Sequence, residues 1–132
     1  MAIVEDEIKV YKALWQLDSL EATSGTNIKP DVTVTLKSKG KKYTKKSTGD
    51  GPVDACYKAI DSIAKVKGKL LDYSIRSVTQ GKDALGEVAV KVEINGNKVI
   101  THGTSVDIVE ASAKAYIDAI NKVLSQKTKS KK

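Results

Sequence analysis

Hydrophobic and polar positions alternate along two stretches of this chain and recur at helical spacing along two others. Val32, Val34 and Leu36 are interleaved with Thr33, Thr35 and Lys37, the period of a half-buried strand. Leu14 to Ser24 reads as a strand before it, closed by the loop-forming run Thr23-Ser24-Gly25-Thr26-Asn27. Gly40 marks a hairpin turn into a third, polar strand over Lys41 to Thr48, which suits a sheet edge. Val53, Cys56, Tyr57, Ile60, Ile63 and Ala64 then fall on one helical face, and the stretch from Lys65 to Lys69, with Gly68, is expected to stop the helix.

The series then repeats. Leu71, Tyr73 and Ile75 are expected to share one face of a strand, and Thr79 to Asp83 to form the turn after it. Val88, Val90, Val92 and Ile94 alternate, Asn95-Gly96-Asn97 is a hairpin signal, and Val99 to Thr101 predict a short third strand. Val109, Ala113, Tyr116, Ile117, Ile120, Val123 and Leu124 line a second helix. The two helices open alike: Val53-Asp54-Ala55-Cys56-Tyr57-Lys58-Ala59 returns as Val109-Glu110-Ala111-Ser112-Ala113-Lys114-Ala115. The pattern predicts an α+β fold of two βββα units, 14–69 and 70–124, with antiparallel sheets and helices on one side. One such unit buries little alone, so the two should pack together and a homodimer is expected. Residues 1–13 predict a linker or short helix, with Val4, Ile8 and Tyr11 at helical spacing, and nothing from Ser125 onward suggests order.

Gly49-Asp50-Gly51-Pro52 reads as a strand-to-helix junction in which both glycines are expected to take backbone angles closed to other residues. Pro52 suits a first helical position. A helix start of this kind favours a carboxylate or phosphate, and Gly51, Pro52 and Val53 are candidates to meet one, with Asp54 a candidate for an ammonium or simply for helix capping.

Composition narrows the chemistry. The 132 residues include 40% hydrophobic ones but no Phe and a single Trp, so aliphatic side chains must fill the core. One cysteine, Cys56, excludes an internal disulfide; on the apolar helix face it reads as a buried thiol rather than a nucleophile. One histidine, His102, excludes a histidine-rich metal site and reads as a surface residue at a strand end. No catalytic residue, metal or cofactor is assigned. The absence of a membrane-length apolar run or signal-peptide pattern predicts a soluble, cytoplasmic protein. A net charge of +7 gathers at Lys37 to Lys46 and in a basic tail over 125–132. A nucleic-acid-binding module is therefore one alternative, opposed by the single arginine, Arg76, and the lack of a stacking platform.

Three stretches, Gly49 to Ala55, Tyr73 to Val88 and Ser105 to Tyr116, together resemble the C-terminal regulatory domain of 2-isopropylmalate synthase and citramalate synthase, and the likeness runs from about Leu14 to Leu124. The resemblance implies a catalytically inert domain that binds leucine, or isoleucine next, for feedback inhibition of a separate catalytic barrel, and that pairs as a homodimer with the effector near the interface. By motif it implies an effector set of Val53, Asp54, Leu70, Tyr73, Ser77, Asp83, Ala84 and Gly86, with Ile108 added; Gly51 and Pro52 join from the reading of the helix start. Leu70 and Tyr73 read equally well as core. Thr101-His102-Gly103 stands where the family has Gly-Arg-Gly. A dimerisation domain without a ligand is the remaining alternative.

Overall fold

The structure, a computed structural model, describes residues 14–25, 28–77 and 85–130. Strands β1 (Gln16–Gly25), β2 (Ile28–Ser38) and β3 (Lys41–Thr48) precede helix α1 (Pro52–Ala64). Strands β4 (Gly68–Ser77), β5 (Gly86–Ile94) and β6 (Asn97–Ser105) precede helix α2 (Ile108–Ser130). Each unit is an antiparallel sheet in sequence order, so both sheets are simple meanders. The expected α+β arrangement of two βββα units is what forms.

The alternating residues explain why. Val32, Val34 and Leu36 in β2 and Val88, Val90, Val92 and Ile94 in β5 are all buried, which puts the central strand of each sheet under its helix. Helix α1 packs on β2 and β3, α2 packs on β5 and β6, and the helices touch each other, so the two units share one core. Tyr57 of α1 stacks on Tyr116 of α2 with ring centroids 4.1 Å apart. The β2–β3 and β5–β6 hairpins each turn on a residue and a glycine at positive φ, Lys39-Gly40 and Asn95-Gly96, the geometry whose twist matches the flanking strands.

Several expectations are corrected. Gly49 and Gly51 do not take glycine-only angles: the positive-φ glycines among the described residues are Gly40 and Gly96, and Gly51 is extended at φ −155°. Gly49 is required for space instead, because a Cβ there would strike the Asp54 carboxylate and the backbone of Ala55. Helix α1 does stop within the expected stretch, on Lys65 in the left-handed conformation, whose N–H donates to the Asp61 carbonyl at 2.8 Å, but Gly68 already belongs to β4. Leu71 does not share a face with Tyr73 and Ile75. A bulge between Leu70 and Asp72 shifts the register so that Leu70, Tyr73 and Ile75 lie opposite the inward-facing Val92, Val90 and Val88. The equivalent bulge recurs in β1 between Leu17 and Ser19, which supports the internal repeat. Strand β6 runs well beyond Thr101, and α2 continues past Leu124 to Ser130. The expectations for residues 1–13, for the turn over 79–83 and for the last two residues of the tail lie outside the described residues.

Because the helices sit over the central strand and one neighbour, much of the inner face of β4 is uncovered. Ile75 is 51% exposed and Leu70 is 41% exposed, although both lie on the inward side.

Candidate functional site

One face of α1 from Val53 to Asp61, the first half of β4 and one residue of α2 border a cavity of about 470 Å³. Helix α1 contributes Val53, Asp54, Tyr57, Lys58 and Asp61, residues at successive turns of one face. Strand β4 contributes Gly68, Leu70 and Tyr73, and the bulge after Leu70 is what allows Leu70 and Tyr73 to point the same way. Tyr116 enters from α2.

The wall is largely apolar because its tyrosines spend their hydroxyls elsewhere. Tyr57 donates to the Ser112 carbonyl at 3.1 Å, and Tyr73 shares a 2.8 Å hydrogen bond with the Ser112 hydroxyl. Tyr116 donates to Asp61 Oδ1, and Gly68 N–H donates to Asp61 Oδ2 at 3.4 Å. Gly68 is indispensable to that arrangement, since a Cβ there would collide with the Tyr116 hydroxyl. Burial pushes the Asp61 carboxyl above its ordinary value, opposed by the hydrogen bonds from Tyr116 and Gly68. Burial likewise raises the Tyr57 and Tyr116 hydroxyls, with Asp61 adding to the effect on Tyr116.

Of the residues singled out in the sequence, Val53, Asp54, Leu70 and Tyr73 converge on this cavity. Gly51 and Pro52 begin α1 but do not line it, and Gly51 offers no side-chain cap. Ser77, Gly86 and Ile108 lie at the other end of β4: Ser77 pairs with Gly86, and a Cβ on Gly86 would meet Ile108 Cδ1. The Ser112 hydroxyl links the two clusters, bonded to the Tyr73 hydroxyl and donating to the Ile108 carbonyl, each at 2.8 Å. Asp83 and Ala84 fall outside the described residues. Sequence reasoning missed Lys58, Asp61, Gly68 and Tyr116 as lining residues, and placed Tyr57 only in the core. The available signal was spacing, since Asp54, Tyr57, Lys58 and Asp61 follow one another at helical intervals.

The pseudo-equivalent start of α2 is different. Asp107 caps it, with Oδ1 accepting from Val109 N–H at 2.8 Å. Elsewhere, Cys56 is fully buried and its thiol is pushed up to about 12 by burial, as expected of a structural thiol. His102 lies exposed within β6 rather than at its end. Among the described residues no cluster of His, Cys, Asp and Glu could hold a metal ion, and no helix is long and apolar enough to cross a membrane. Within the lysine stretch, Lys42 and Lys46 are paired with Asp18 and Asp31 at 3.5 and 3.6 Å.

Residues 1–124 match the family model described as the LeuA allosteric (dimerisation) domain. The chain belongs to this family. Among its relatives are 2-isopropylmalate synthases from Carboxydothermus hydrogenoformans, 48% identical over 93% of the chain, and from Pelotomaculum thermopropionicum, 44% identical over 93%. A third, from Heliobacterium modesticaldum, is 42% identical over 94%. The chain spans only about a quarter of each relative's length, 24%, 25% and 24% respectively. Residues 1–124 are thus a LeuA allosteric and dimerisation domain.

Proposed function

We propose that this LeuA domain binds a branched-chain amino acid, leucine before isoleucine, and passes its occupancy to the catalytic domain of a 2-isopropylmalate synthase as feedback inhibition. The observation that carries the reading is the cavity between α1 and β4. Its volume falls in the range of small-molecule sites, roughly 300–1,000 Å³. Its wall combines alkyl and aromatic groups, Val53, Leu70 and Tyr73, with the charged residues of α1. An aliphatic side chain fits the first group and a zwitterionic α-carbon the second.

Dimerisation supplies the means of transmission. The uncovered inner face of β4, where Leu70 and Ile75 are exposed, is an apolar surface of the kind that marks an interface. It adjoins the cavity through Leu70, so a second copy seated there would feel whether the cavity is filled. Allostery then requires only that the effector favour one arrangement of the pair over another.

The test is calorimetric titration of the purified chain with L-leucine and L-isoleucine, with molar mass measured in the same buffer. Saturable binding by a dimer, lost in Tyr73→Ala and Leu70→Arg variants that remain folded, is expected. A folded dimer that binds neither amino acid would leave a dimerisation domain without a ligand.

A further inference from the structure

We propose that Asp61, not Asp54, is the group that recognises the ammonium of the bound amino acid, so that the site selects amino acids over acids of the same carbon skeleton that lack the amino group. This rests on the effector-binding reading above and deepens it.

Three charged residues border the cavity, and they are not equivalent. Asp54 and Lys58 form a 3.3 Å ion pair, with side chains 45% and 58% exposed, and Asp54 Oδ2 also accepts from Asp50 N–H at 3.0 Å. They neutralise each other at the solvated rim. Asp61 lies further along α1 and is more deeply desolvated, holds two hydrogen bonds, and has no cationic nitrogen within ion-pair distance among the described residues. A carboxylate offers about four acceptor sites, so Asp61 retains capacity for an incoming donor. The tyrosine hydroxyls around it are already engaged, and they turn rings rather than donors toward the ligand. An ionised carboxylate held in partly desolvated surroundings without a countercharge is what a primary ammonium would complete.

Spacing fixes the orientation. Asp61 is two helical turns from Asp54, about 10 Å along the axis at roughly 1.5 Å per residue, whereas the ammonium and carboxylate of an α-amino acid share one carbon. A ligand that meets Asp61 therefore cannot place its carboxylate at the start of α1. Its carboxylate faces Lys58, one turn away on the same face, and Lys58 exchanges Asp54 for the ligand. The alkyl group is left to Leu70 and Tyr73 across the cavity.

The experiment titrates the full chain with L-leucine, with 4-methylpentanoate, which lacks only the ammonium, and with L-leucinamide, which lacks the carboxylate charge. The wild-type chain should prefer leucine to 4-methylpentanoate by about tenfold to a hundredfold, the range for a charged hydrogen bond. Asp61→Asn, which keeps the shape and one acceptor, should abolish that preference, and Asp54→Asn should preserve it. Lys58→Gln, an exposed change, should weaken leucine several-fold and leave leucinamide unaffected. A folded Asp61→Asn chain that keeps the full preference, or loss of preference in Asp54→Asn, overturns the proposal while the effector site stands. Should Asp61→Asn fail to fold, unchanged leucine affinity in Lys58→Gln overturns it independently. A wild-type chain that binds no leucine overturns the effector reading and this inference together.

Discussion

At the scale of single residues, Asp61 concentrates the polar consequences of the fold. Its pKa is raised, chiefly by burial, so the native chain binds that proton at higher pH than the unfolded chain does. The resulting contribution to stability grows as pH falls from neutrality toward the ordinary carboxylate value of 3.8, and is lost as pH rises through the native value. Asp61→Asn lacks that contribution, while the surrounding Asp54, Lys58, Tyr57 and Tyr116 are common to both chains. Wild-type stability should therefore gain on that of the variant between pH 7 and pH 4.5, read from urea midpoints; two chains that respond in parallel would contradict the burial assigned to Asp61. Neither the donor from Tyr116 nor the approach of Gly68 was legible in the sequence. Residue 116 is 55 positions from residue 61 in the chain, and a glycine beside a helix end looks like a stop signal whatever it packs against.

At the scale of elements, the alternating valines of β2 and β5 made both central strands readable, because a side-chain period of two has one buried solution. The bulges were not readable. Leu70-Leu71-Asp72-Tyr73 offers two apolar residues for one inward position, and only pairing with Val92 and Lys91 chooses Leu70. Close packing of strand on helix was hidden in the same way. Gly103 in β6 is buried, and a Cβ there would meet the Ala111 carbonyl and the backbone of Ala115 in α2, whose carbonyl accepts a hydrogen bond from the Thr101 hydroxyl. Gly103→Ala should consequently destabilise the domain by about 3 kcal/mol, the upper part of the range for overpacking, because backbone cannot rotate out of the way. Thermal or urea unfolding measures it, and a cost below about 0.5 kcal/mol would mean that β6 and α2 are less tightly joined than described.

At the scale of the whole molecule, the shared core of α1 and α2 joins two units that each bury little alone, and the open inner face of β4 is where that burial stops short. A pairing of copies through this face predicts that Ile75→Lys, outside the cavity lining, converts a dimer to a monomer without loss of secondary structure. Light scattering with circular dichroism checks this, and a variant that stays dimeric would move the interface elsewhere.

The sequence by itself determined the class of fold, its internal repeat, both helices, the hairpin turns and the family, because each depends on local periodicity, turn chemistry or short motifs that neighbouring residues express together. Tertiary structure alone decided which residues share the cavity. It gathered Val53, Asp54, Leu70 and Tyr73 while leaving Gly86 and Ile108 at the far end of β4, and it brought in Asp61, Gly68 and Tyr116. The physical reason is that a cavity is made where elements fail to fill space between them, and that remainder depends on register, bulges and helix placement rather than on any one segment.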